Sequence, residues 1–137
     1  MWKIYALLSA VFAALTAIFG KIGVEGVSSN VATAIRTSVI LVLTWGIVMA
    51  TGGLPQLGVL SLRTWGSLVL SGVATGLSWL FYYKALQLGE ASKVAPIDKL
   101  SVVFVILFGI VFLHEMVDVK VLLGGSLILA GSLVLLL

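Results

Sequence analysis

Few side chains in this sequence carry charge, and several of them lie inside or at the mouth of apolar runs. Asp98 and Lys99 stand side by side in VAPIDKLSVVFV, ahead of a run that is uncharged as far as Leu113. Arg36 interrupts a second run, Val31 to Ala50. A carboxylate in such a place can hold a proton or a cation, and a lysine or arginine can hold an anion. Because a charge in hydrocarbon is costly, an ionisable residue within a span is a site hypothesis by default. Trp79, Tyr82 and Tyr83 sit near one end of a third run, where they suit either an interfacial belt or the wall of an organic-ligand cavity.

Each of these positions also has a structural reading. Pro96 at the first helical position pre-sets the backbone, and Asp98 two residues later faces the positive end of the helix dipole. Lys99 then snorkels outward. Span length argues the other way: Leu100 to Leu113 gives about 21 Å of helix for a hydrocarbon core about 30 Å thick. The span must draw in Pro96 to Lys99, or the bilayer must thin. Adjacent helical residues point roughly 100° apart, so Asp98 and Lys99 are not expected to neutralise each other on one face. Arg36, about 7 to 8 Å into its helix, either snorkels to the interface or faces a cavity as a partner of Asp98 or Glu25. Asp118 fits a helix N-cap, and Glu115 fits a tie across the HEMVD turn, with Lys120 as a partner. His114 alone makes no metal site, since the other ligands are missing.

These positions are set in a strongly apolar chain. Of its 137 residues 61% are hydrophobic and 9% charged, against about a quarter charged in a soluble domain. This is the composition of an all-α integral membrane protein. The net charge of +3 is spread thinly and bears on orientation in the membrane, not on nucleic-acid binding. The absence of cysteine excludes a disulfide framework and thiolate metal sites. The first apolar run lacks the cleavage pattern of a signal peptide and is expected to be retained.

At roughly 20 apolar residues per span, the sequence predicts five transmembrane helices, at about 4–20, 31–50, 64–88, 96–113 and 119–137. Gly89 is expected to stop the third in the C′ position. The linkers GKIGVEGVSSN, TGGLPQLGVLSLR, GEASKVA and HEMVD carry turn signals and are too short for an extramembrane domain. Helices in lipid associate through small residues. Ser9, Ala13 and Ala17 recur along the first span, Gly72 and Gly76 form a GxxxG pair on the third, and Gly124, Gly125, Ser126, Ala130 and Gly131 mark the fifth. Such faces serve packing within the chain or a dimer seam.

With five spans the termini lie on opposite sides. Lys3, Arg63 and Lys120 fall on the N-terminal side, and Lys21, Lys84 and Lys93 on the other, with Arg36 and Lys99 added if they snorkel that way. Lys/Arg bias sets orientation, so this near balance specifies it weakly. The chain either inserts with a modest preference or inserts both ways and pairs with inverted copies. Transporters commonly place their substrate between two inverted repeats; no duplication is visible here, and an antiparallel homodimer would supply the second half.

From Leu88 onward, ALQLGEASKVAPIDKLSVVFVILFGIVFLHEMVDVKVLLGGSLILAGSLVL resembles the closing half of an EamA-type repeat of the drug/metabolite transporter superfamily. The resemblance rests on Ala91 and Ser92 at the turn, Pro96 entering the fourth helix, Glu115 closing it, and the glycine-rich fifth helix with Gly124, Gly125 and Gly131. FGKIGVEGVSSNVATAIRTSVIL fits the first half more loosely. The whole chain is thus similar to one five-helix EamA repeat, where most members have ten helices. A small multidrug resistance protein would need an acidic residue in its first helix, and Ile4 to Phe19 has none. The resemblance implies transport of small organic metabolites or drugs by alternating access, in a prokaryotic inner or plasma membrane, with no cofactor and no metal. Organic-phosphate branches of the superfamily use basic residues in the corresponding helix, which implies Lys99 as an anion ligand beside Asp98 as a proton or cation site. Arg36, Trp79, Tyr82 and Tyr83 complete the expected substrate-binding set; Pro96, Glu115, Asp118, Gly72 and Gly76 are expected to be structural. A non-transporting membrane subunit that packs through its small-residue faces is the alternative. An enzyme is not expected, since no nucleophile–base pair or metal constellation is present.

Overall fold

Apolar segments that must hide their backbone from hydrocarbon have one local solution, a helix whose N–H and C=O groups bond within the segment. The computed structural model, which describes residues 1–137, is helical accordingly. α1 spans Trp2–Gly23, α2 Ser29–Ala50, α3 Leu62–Leu88, α4 Ala91–Asp98, α5 Ser101–Leu113 and α6 Val119–Val134, with a 3₁₀ segment at Leu54–Val59. By length and composition α1, α2 and the stretch Ala91–Leu113 can cross a membrane, and α6 is apolar but shorter. α3 has 27 residues, and Ser67, Ser71, Thr75 and Ser78 dilute its apolar character. Three segments therefore meet the measure of a span on their own, where the sequence predicts five.

The turns follow their chemistry. Ser28 caps α2, its Oγ accepting the Val31 N–H at 3.3 Å. Gly26 and Gly52 take the left-handed backbone, at φ 74° and 70°, that side chains with a Cβ resist. Gly89 does not, although α3 ends at Leu88, immediately before it.

Residues 19–87 form one compact unit, and Met1–Ile18 with Leu88–Leu137 form another. In the first, the end of α1 packs on the end of α3. Leu86 is fully buried, and Tyr83 and Val24 nearly so. The absence of a Cβ at Gly20 makes this approach possible, since one there would lie 2.8 Å from the Tyr83 ring. Polar side chains then close the helix ends. The Lys21 ammonium donates to the Leu86 carbonyl at 2.5 Å. Gln87 Nε2 donates to the carbonyls of Val24, at 3.3 Å, and Val27. The last carbonyls of a helix have no partner within it, and these side chains supply one.

In the second unit α6 packs against α5 and α4. A Cβ on Gly125 would stand 2.7 Å from Ile106 Cδ1, so this glycine sets the α5–α6 approach. α5 ends at His114, whose φ of 54° is left-handed, and the Glu115 N–H turns back to the Gly109 carbonyl at 3.1 Å.

The fourth segment departs most from expectation. Its helix begins at Ala91, after Glu90 in extended backbone, so Pro96 lies inside α4 and Asp98 closes it. Neither occupies the first turn. A proline inside a helix removes an N–H and crowds the carbonyl four residues back, and α4 lasts only eight residues. Regular bonding then gives way to i→i−3 bonds. The Lys99 N–H meets the Pro96 carbonyl at 3.1 Å, Leu100 meets Ile97 at 3.0 Å, Val102 meets Lys99 at 3.0 Å and Val103 meets Leu100 at 3.0 Å. These are 3₁₀ turns of the kind that mark a hinge or strain. The Pro96 carbonyl also receives the buried Ser132 hydroxyl of α6 at 3.0 Å. That bond fastens the break to α6 and gives the Pro96 carbonyl a second donor.

Two stability changes are expected. Leu86→Ala, which empties a fully buried site, should cost about 2 to 5 kcal/mol, whereas Leu70→Ala, at an exposed site, should be nearly silent; reversible unfolding in mixed micelles compares them. Ser132→Ala should cost about 1 kcal/mol and speed amide exchange at Lys99 and Leu100 selectively, read by hydrogen exchange.

Candidate functional site

Arg36 is the eighth residue of α2, about 10 Å from its start. Trp79 and Tyr83 are four apart on α3, so their rings project from the same face. The three side chains meet. The Arg36 guanidinium lies over the Trp79 ring and 5.4 Å from the Tyr83 ring centroid, both within the roughly 6 Å reach of a cation–π interaction. Its Nη1 donates to the Tyr83 hydroxyl at 3.2 Å. Tyr82 is half-buried, with its ring 6.4 Å from that of Tyr83. Tyr83 is the pivot: Gly20 of α1 supports one side of its ring, and its hydroxyl steers Arg36.

The unit offers Arg36 little negative charge. Glu25 is the one carboxylate within residues 19–87; it is exposed, lines an open pocket of about 250 Å³ with Lys21, Val24, Gly26 and Gln87, and makes no ion pair with Arg36. Nor do the hydroxyls of α2 turn toward the arginine. Thr33, Thr37 and Ser38 donate to the carbonyls of Ser29, Thr33 and Ala34, each four residues back in their own helix. The guanidinium is thus oriented by aromatics, without an ion pair to the one carboxylate of its unit.

Asp98 and Lys99 belong to the other unit. They sit at the break between α4 and α5, and Lys99 Nζ comes within 3.9 Å of Asp98 Oδ2. The contact is loose, and Lys99 keeps right-handed helical backbone. Both are exposed, 56% for the Lys99 side chain and 40% for Asp98, and an exposed pair of this length is weak. They remain available to another partner.

Glu115 lies against the backbone of Gly109, its Oε2 2.9 Å from where a Cβ would stand, and forms no ion pair with Lys120. Asp118 occupies the N-cap position of α6 in extended backbone, without a side-chain cap bond. A Cβ on Gly72 or Gly76 would meet no atom within 4 Å, so this face of α3 is open. Gly20, Lys21, Gln87 and Ser132 were not among the predicted residues. Gly20 continues the small-residue stripe of Ala13 and Ala17, and Lys21 is a cation in the last turn of a helix, a placement that favours carbonyl contacts. Nothing local marks Gln87 or Ser132.

Comparison with known proteins bears on the whole length of the chain. Residues 1–137 match the EamA-like transporter family. A protein described as an uncharacterized transporter in the cobO 3′ region of a Sinorhizobium species is 52% identical over 134 residues, covering 98% of this chain and 95% of that one. No solved structure matches. With apolar helices long enough to cross a bilayer and a match from end to end, this integral membrane protein belongs to the EamA-like transporter family.

Proposed function

We propose that the protein transports small organic metabolites or drugs by alternating access, as an antiparallel homodimer of five-span repeats in a bacterial inner membrane. The observation that carries this reading is the break in the fourth span, with Asp98 and Lys99 on it. Transporters place their sites at discontinuous helices, where irregular backbone and charge line a polar cavity. The near-even distribution of Lys and Arg between the two sides supports dual insertion. Substrate would select among inward-open and outward-open populations, with Asp98, Lys99, Arg36, Trp79, Tyr82 and Tyr83 as the binding set.

The open Gly72/Gly76 face favours one second reading, a membrane subunit that associates through α3 without transporting. The two readings part on which residues matter. For transport in reconstituted vesicles, Asp98→Asn and Lys99→Gln should each lower flux at least tenfold, while a subunit would lose function on Gly72→Leu or Gly76→Leu and tolerate both charge changes. Reporter fusions at Leu137 should be active in both compartments. A single orientation would sink the antiparallel homodimer unless a separate chain supplies the inverted half.

A further inference from the structure

The most telling feature outside the broken helix is a cation with its orientation fixed and its charge unanswered. Arg36 lies inside α2, stacks on Trp79 and gives one bond to Tyr83. A guanidinium has five N–H donors in a rigid planar fork. A ring face attracts the charge but accepts none of the in-plane N–H groups, and the Tyr83 hydroxyl accepts one. The hydroxyls of Thr33, Thr37 and Ser38 bond within their helix. Glu25, the unit's only carboxylate, lies elsewhere, in the pocket with Lys21 and Gln87. The same unit also carries Lys21, Arg63 and Lys84, so its charge is positive. Arg36 is half-buried and therefore reachable from outside the protein.

We propose that Arg36, held by Trp79 and Tyr83, is an oxyanion site that takes the carboxylate or phosphate group of an organic anion. Two parallel N–H···O bonds to such a group use the fork that the aromatic side chains leave open. The ring contacts fix the plane of the guanidinium in advance, which lowers the ordering cost of binding. The assignment narrows the proposed transport function to anionic substrates and rests on that reading for the soluble source of the anion. An anionic lipid headgroup offers the same chemistry, since Arg36 is about 10 Å from the end of its helix.

The test uses the full-length protein in nanodiscs of neutral phosphatidylcholine. Phenyl phosphate and benzoate are titrated by calorimetry, with benzamide as the uncharged control. Saturable binding of the anions but not of benzamide is expected. Arg36→Gln should weaken it at least tenfold, and Arg36→Lys should fall between, because an ammonium keeps the charge and loses the fork. Tyr83→Phe, which retains the cation and removes its steering hydroxyl, should show a smaller, severalfold loss and keeps the idea testable if Arg36→Gln does not fold. Lys93→Gln, at an exposed pair with Glu90, lowers net charge equally and should bind as wild type. If the soluble anions do not bind but phosphatidylglycerol is retained through purification in an Arg36-dependent manner, the source is the headgroup. Equal anion binding by wild type and Arg36→Gln, or neither soluble anion binding nor Arg36-dependent lipid retention, overturns the site. Benzamide and benzoate flux in vesicles separates this result from the transport reading: Arg36-dependent binding without any flux leaves the site and removes transport, whereas flux with Arg36-independent binding does the reverse.

Discussion

A carbonyl at the end of a helix in hydrocarbon has no water to turn to, and an unpaired one costs several kcal/mol. The side-chain hydrogen bonds between sequence-distant parts of this protein largely answer that constraint. Lys21 and Gln87 bond to the Leu86, Val24 and Val27 carbonyls where α1 and α3 end. Ser132 bonds to the Pro96 carbonyl where α4 stops. In each case a polar side chain serves backbone that leaves the regular ladder. The same bonds fix which helix ends meet, so backbone accounting and tertiary structure are one problem here. Apolar burial adds little beyond it: Leu86, Tyr83, Val24 and Ala17 are the buried apolar residues, as expected where lipid is as favourable a neighbour as protein.

Charge is handled by two different means. Arg36 is taken into the protein on ring faces and a phenol oxygen, which compensates part of the cost of desolvation and leaves the net charge in place. Asp98 and Lys99 lie at the surface of the chain, in loose contact with each other. The first arrangement is rigid, because α3 continues uninterrupted through Trp79 and Tyr83. The second is soft, because it sits on i→i−3 bonds at a break.

What the sequence made legible follows from range. Apolar run lengths locate the helices, because each must satisfy its own backbone. Arg36, Trp79, Tyr82 and Tyr83 stand out by residue type, yet the Arg36–Tyr83 bond joins positions 47 apart, and no local pattern encodes it. Gly20 is similar: its small size is visible, whereas the tyrosine ring it admits is not. The misplaced start of the fourth helix has a different cause. Proline is best tolerated in a first turn, so local propensity puts the helix start at Pro96. In the structure the helix starts at Ala91, and the contact of the Pro96 carbonyl with Ser132, 36 positions away, is one that no local pattern encodes.

The placement of the break also bears on where motion can occur. Bending an intact helix strains i→i−4 bonds over a full turn. At Lys99 and Leu100 those bonds are already exchanged for tighter ones, and Pro96 has no N–H to lose. A changed angle between α4 and α5 also has to loosen the Ser132 bond and the packing of α6 on both helices. α3 has no such interruption, and its aromatic face moves as a body with the Arg36 it orients. Within this sequence the backbone can therefore yield at Asp98 and Lys99, whereas Trp79 and Tyr83 belong to an unbroken helix.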